Sequence, residues 1–235
     1  MDTVIWTPLN SSGWNEELET NVGWIDKRIE LMNNLVIPSV SKQTDKNFVW
    51  FIEVREDTVD YISSRLKLQN SNGVIIKRPP GLGPKKAWVR QPEDIEKYVK
   101  TKNYYEIRLN SDDLLHNNYL NEIKNININN TEVIIPNKGY YWYKQENIVV
   151  ELDHRSPPFY ALIYNKKKFL DGFRYVLKGG HMGAIKLKHK IVDKRIWCWI
   201  IHDTNNKIIR KGVDNAYASY DNFTRVDNTI LQNFM

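Results

Sequence analysis

Apolar residues along the chain fall alternately into short runs and helical stripes. Val4-Ile5-Trp6 is a β-prone run ended by Thr7-Pro8 and a polar, Gly-containing loop. From Asn21, Val22, Ile25, Ile29, Met32, Leu35 and Val36 recur at three- and four-residue steps, which predicts an amphipathic helix over 22–36 ending near Pro38. Ser39–Gln43 reads as a further helical turn, and TDKN as a polar break. FVWFIEV (48–54) is a nearly continuous apolar run of strand length, expected to be a central strand buried on both faces. A second helical stripe, Val59, Ile62 and Leu66, lies within 57–69, and GVIIK (73–77) is the next strand.

RPPGLGPKKAW (78–88) cannot be regular, because its prolines and glycines break either pattern. QPEDIEKYVKTK follows as a helix with Pro92 in its first turn, and 104–109 as a strand. A helix is then expected from near Leu114, a strand at 132–135, a hairpin at 139–144 and 147–152, the loop HRSPPF, a strand or helix start at YALIY, and the apolar run IWCWII. The succession strand, helix, strand, helix, strand predicts an α/β fold, a mostly parallel open, Rossmann-like sheet flanked by helices, with a small antiparallel hairpin region. One domain over 1–204 is expected, with 205–235 as a polar C-terminal tail packed on it or extending from it.

Composition fits that picture: 235 residues with 41% hydrophobic and 26% charged side chains support a folded core. No run reaches the roughly 18 apolar residues of a membrane span, and the N-terminus lacks a signal-peptide pattern, so the expected setting is cytoplasmic. The lone Cys198, between two tryptophans, suits a reducing compartment and a core position. A net charge of +6 attracts anions, whether nucleic acid, a phosphorylated donor or a membrane headgroup.

The most informative stretch is YEIRLNSDDLLHNNYL (105–120), where a strand stops at Asn110-Ser111-Asp112-Asp113. Carboxyl ends of strands in open α/β sheets are where such sheets bind ligands. Two carboxylates there can hold Mg²⁺ or Mn²⁺, whose shell substrate phosphates and water complete. Equally, Ser111-Asp112-Asp113 can cap the helix expected to follow. Both roles are compatible.

Four blocks, WIDKRIELMNNLVIPSVSKQTDKNFVWFIEV (24–54), EIRLNSDDLLHNNYL (106–120), SPPFYALIY (156–164) and RIWCWIIHDTN (195–205), together resemble the putative rhamnosyltransferase family, related to the family 2 glycosyltransferases of GT-A fold. In that family a Trp-x-x-x-Arg helix leads to a Pro-Ser-(apolar)-x-x-Gln-Thr segment and a strand. An Arg-Leu-Asp-x-Asp-Asp motif, a Ser-Pro-Phe segment and a tryptophan-bearing strand running into a histidine follow. The resemblance implies a GT-A-like fold, a nucleotide-sugar donor, and Mn²⁺ or Mg²⁺ as cofactor. It places Asp112 and Asp113 in the metal- and donor-binding motif, Arg108 just before it, and His202 at the late histidine; apart from the resemblance, His181 of GGHMG, beside glycines that let backbone approach a ligand, is the alternative metal ligand. Two positions depart from the family pattern: Asn110 stands where an aspartate is expected, and Asp203 where a glycine is. Asn110 can still hydrogen-bond a ribose or a metal-bound water but brings no charge.

Further donor contacts are expected from Thr7 and Asn10 after the first strand, Arg55 after the second, and Arg78, Lys85 and Lys86 around the PPGLGP loop. A transfer that inverts the anomeric centre needs a base for the acceptor hydroxyl, for which Asp153, then Glu151, are the candidates. The aromatic run GYYWY (139–143) either packs on the core or offers a stacking platform, which with the basic 165–169 region would suit nucleic acid. The expected activity is metal-dependent transfer from a UDP-, dTDP- or GDP-sugar to a saccharide or other hydroxyl acceptor. The alternatives are a DNA-base glycosyltransferase and a non-catalytic nucleic-acid- or glycan-binding relative.

Overall fold

A computed structural model describes residues 1–11, 13, 15–81, 91–203 and 223–235. Four strands form its parallel half: β1 (Asp2–Pro8), β2 (Val49–Arg55), β3 (Gly73–Arg78) and β4 (Asn103–Arg108). β1 lies between β2 and β4, parallel to both, and β3 flanks β2. The strand order therefore reverses between β1 and β4, and the carboxyl ends at such a switch point are where open α/β sheets bind ligands. Both faces are covered, as the near-continuous apolar runs require. Ile5, Trp50, Ile52 and Ile107 pack with Trp24, Ile25, Ile29 and Met32 on one side. Val4, Trp6, Phe51 and Tyr104 pack with Ile95, Val99 and Phe169 on the other.

The rest of the sheet corrects the expectation of a mostly parallel sheet: the sheet is mixed. β5 (Leu114–Leu115), β6 (Val133–Tyr143), β7 (Ile148–Asp153), β8 (Ala161–Asn165), β9 (His189–Ile201) and β10 (Arg225–Val226) complete it. β8 runs antiparallel between β4 and β6, β7 antiparallel to β6, and β9 parallel to β6. The segments at 132–135 and 139–144 are one strand, because Pro136 sits next to a register shift where a missing N–H is tolerated. Tyr140 to Tyr143 are all buried on this strand, which removes the open stacking platform.

Two helical expectations change as well. The 22–36 helix does not stop near Pro38 but runs from Val22–Leu31 through a π-helical stretch, Met32–Val36, into Ile37–Ser41. The widened turn, with Ile37 N–H bonded to Met32 C=O, accommodates a proline that cannot donate. The helix expected from Leu114 begins only at Tyr119, because Leu114 and Leu115 pair with Cys198 and Trp197 of β9. Ser111-Asp112-Asp113 thus precedes a strand and caps no helix. Within the C-terminal segment, β10 pairs with β7, and Phe234 is buried against Tyr140 and His116. Among the described residues no helix is long and apolar enough to cross a membrane.

Candidate functional site

The turn after β4 is built by two independent clasps. Leu109 N–H continues the ladder onto Trp6 C=O (2.9 Å), carrying the chain past the strand end before it turns at Asn110. Downstream, the Pro-Ser-Val-Ser-Lys-Gln-Thr segment grips the chain. Ser39 Oγ donates to Leu115 C=O (2.8 Å) and accepts from Leu115 N–H (2.9 Å). Gln43 donates to His116 C=O (2.7 Å) and accepts from Leu120 N–H (3.1 Å), and Thr44 N–H reaches Asn117 C=O (2.8 Å). This block shapes the acidic turn from behind.

Between the clasps the two carboxylates have different fates. Asp113 is fully buried; its Oδ1 accepts from Ile200 N–H of β9 (3.1 Å) and its Oδ2 from the Asn110 amide (2.6 Å). Arg108 in turn donates to Asn110 Oδ1 (2.9 Å). Burial, then the negative charge of Asp112, push the Asp113 carboxyl well above its ordinary range. Asp112 ion-pairs with Arg28, and its Oδ2 lies 3.0 Å from His202 Nε2. Burial alone would raise the Asp112 carboxyl, but the Arg28 guanidinium and then His202 hold it well below the usual range. Asp112 is therefore the ionised member, and an ionised carboxylate can only accept, so the His202 Nε2 that faces it is the donor. Arg28 comes from the Val22–Leu31 helix, where Trp24 one turn earlier lies under its guanidinium at 4.8 Å.

The structure thus brings together Arg108, Asn110, Asp112, Asp113 and His202, with Arg28 as the member that sequence reasoning missed. Its signal was the Trp-x-x-x-Arg spacing, which stacks residues i and i+4 on one helix face. Asn110 also changes meaning. It bridges Arg108 and Asp113 by using both ends of its amide, which an aspartate could not do. Asn110→Asp would take the amide donor away from Asp113 and add a second negative charge beside ionised Asp112, and we expect a loss of about 1–3 kcal/mol at neutral pH that shrinks on acidification, read from urea melts across pH.

The donor types at Asp112 and His202 fit a divalent cation. Mn²⁺ accepts carboxylate and imidazole, but here the two are hydrogen-bonded to each other at 3.0 Å and Asp112 Oδ2 also pairs with Arg28, so a cation would have to displace the proton on His202 Nε2. Asp113 is engaged differently, each of its oxygens accepting one bond, from Ile200 N–H and from the Asn110 amide. No group of three His, Cys, Asp or Glu side chains suited to a metal occurs among the described residues. Further ligands would have to come from phosphate oxygens and water.

Other expected residues lie elsewhere. His181 Nδ1 is 2.6 Å from Ser156 C=O and its ring sits beside His154 (5.6 Å), so it is not the histidine brought to Asp112. Glu151 and Asp153 both bind Arg195, at 2.9 and 2.7 Å. By strand register Glu151 is level with Tyr140 of β6 and Cys198 of β9, the residue paired with Leu114, so β6 and β9 lie between it and the acidic turn's exit. Thr7 Oγ1 accepts from Trp50 Nε1 (2.9 Å). The Asn10 amide spans Glu19 C=O, Thr58 Oγ1 and Arg55 N–H, tying β1 to the end of β2. Arg55 is held by Asp57 and Glu19, and Arg78 by buried Glu53 and by Asp94. These four side chains make internal bonds around the carboxyl ends of β1 to β3. Lys85 and Lys86 lie outside the described residues.

Fold and site together define an α/β protein with a buried carboxylate–guanidinium–imidazole group beside the switch point of its sheet. The chain belongs to the family described as "Putative rhamnosyl transferase", whose model matches residues 18–164, from before the Arg28 helix to the end of β8. Similar solved structures include TarS residues 1–349 of S. aureus, at 16% identity over 84% of this chain and 60% of that one, TM-score 0.45. GlyE of Streptococcus pneumoniae TIGR4 is 13% identical over 82% of this chain and 45% of that one, TM-score 0.40. The inositol-1-phosphate CTP transferase of T. maritima is 17% identical over 91% and 98%, TM-score 0.44. The chain thus spans less than two thirds of the first two. No curated protein sequence matches it.

Proposed function

We propose that the protein is a glycosyltransferase that moves a sugar from a UDP-, dTDP- or GDP-sugar to a hydroxyl of a saccharide acceptor, with inversion. The observation that carries this reading is the Arg28–Asp112–His202 group at the carboxyl edge of β4 and β9, in a chain of the rhamnosyl transferase family. In the reaction the acceptor oxygen bonds to the anomeric carbon as the bond to the diphosphate breaks, the electron pair leaves on the diphosphate, and the acceptor proton passes to a base.

Asp112 is ill-suited to be that base: a carboxylate held at low pKa by a guanidinium takes up a proton reluctantly. Its role is binding. Asp112 and His202 would hold a divalent cation, which when bound offsets the negative charge growing on the leaving diphosphate. Arg28 orients Asp112, and Asn110 with Asp113 fixes the turn to β9. Asp153, the more exposed partner of Arg195 at 60% against 35% for Glu151, is the candidate to take the acceptor proton.

The test is a panel of UDP-, dTDP- and GDP-sugars, assayed for donor hydrolysis and transfer with and without Mn²⁺, and repeated with Asp112→Asn. One donor class should be turned over, and the variant should lose about 100-fold in rate. If no donor is bound or consumed, or Asp112→Asn performs as well as the native protein, the reading fails.

A further inference from the structure

The connection from β8 to β9 holds an unusual share of the molecule's charge and exposed apolar surface. Residues 166–190 contain eight Lys and Arg (Lys166, Lys167, Lys168, Arg174, Lys178, Lys186, Lys188, Lys190) and one acid, Asp171. This segment therefore carries +7 while the whole chain carries +6, and the remainder is close to neutral. Six large hydrophobic residues are exposed among the described residues. Four of them, Phe173 (44%), Val176 (76%), Met182 (44%) and Ile191 (40%), lie in or directly after this one segment.

The base of the segment is firmly held. Phe169 is buried, Arg174 lies over its ring at 3.3 Å and donates to Phe169 C=O (2.6 Å), and Tyr175 donates to Ile163 C=O (3.1 Å) on β8. Val176 and Met182 stay outside that anchored base, with exposed Lys178 between them and Lys186 and Lys188 following. Exposing aliphatic side chains among cations has no benefit for a protein that meets only water.

We propose that residues 166–191 dock the protein peripherally onto a bilayer rich in anionic lipid, Val176 and Met182 entering the headgroup boundary while the lysines meet the lipid phosphates. Charge complementarity supplies one half of this match and apolar partitioning the other; neither alone holds a protein on a membrane, but two signals together do. Nucleic acid fits the charge, and Phe173 offers one face for a base to stack on, but the three exposed aliphatic residues, Val176, Met182 and Ile191, serve no base. The inference does not depend on the donor chemistry proposed above.

The full chain is to be co-sedimented with vesicles of phosphatidylglycerol mixed with phosphatidylcholine and with phosphatidylcholine alone, at low and high salt. It should bind the anionic vesicles only and be released by salt. Lys178→Gln/Lys188→Gln should lower the partition coefficient about 25-fold, taking about fivefold for each charge removed. Val176→Ser/Met182→Ser, with charge unchanged, should lower it about tenfold. All four side chains are exposed, so thermal unfolding should be unaltered. Failure of the native chain to sediment with anionic vesicles overturns the proposal. So does full retention of binding by the apolar variant, and salt-sensitive capture of a duplex DNA oligonucleotide by that variant would then assign the segment to nucleic acid.

Discussion

Arg28→Met is expected to destabilise the protein by about 3–5 kcal/mol at neutral pH, the usual cost of leaving one partner of a buried ion pair without the other. The Arg28 and Asp112 side chains are 5% and 9% exposed, so water cannot replace the guanidinium. The pH dependence gives the effect a signature. Asp112 is held below its unfolded value, so its contribution is complete above the unfolded carboxylate pKa and is lost as pH falls through the lower folded one. In Arg28→Met the same carboxylate is buried without its main counter-charge, and the acid-side loss disappears. The gap between the two proteins should therefore be widest near neutrality and close on acidification, as read by urea unfolding at a series of pH values. Equal stabilities at neutral pH would mean that the pair is not formed. Arg28→Lys keeps the charge but not the planar fork, and should fall between the two.

Gly139→Ala should be nearly as damaging for an opposite reason. An added Cβ at Gly139 would fall on the indole of Trp197, which crosses directly over this point of β6. That ring has no freedom to retreat: it is fully buried, stacked on Phe159 at 4.7 Å, and bonded through Nε1 to Pro136 C=O at 2.8 Å. Overpacking of this kind costs about 1–3 kcal/mol, and the upper end is expected where the obstructing group is rigid. In a double-mutant cycle, Gly139→Ala combined with Trp197→Leu should be less unstable than the two single losses added together, because removing the indole opens the space the methyl needs. Additive losses would show that the methyl is accommodated in some other way.

The parallel half of the sheet was legible because its information is local. β1 to β4 are apolar runs separated by helical stripes, and a right-handed crossover leaves few ways to pair such strands. The other half was not. The mixed order β7-β6-β8-β4 depends on which edges meet after the chain has turned, and no periodicity records that. Pro38 was read as a helix end, and 132–135 and 139–144 as separate strands; Pro38 and Pro136 are each absorbed by a neighbouring irregularity that exists only in the folded context. Leu114-Leu115 reads as part of a helix until β9, some 80 residues later, supplies a partner strand.

At the site, the sequence by itself determined the chemistry available: an acidic turn at the end of a buried strand, an arginine one helical turn after a tryptophan, and a late histidine after a tryptophan-bearing strand. Only the tertiary structure decided how those groups divide the work. It gave Asp112 to Arg28 and His202, consumed Asp113 in holding the turn to β9, made Asn110 a bridge where an aspartate would repel, and set Glu151 and Asp153 on Arg195. The physical reason is that a carboxylate's charge state and freedom follow from burial and from neighbours within about 4–6 Å, and those neighbours here lie 84 residues before Asp112 and 90 after it.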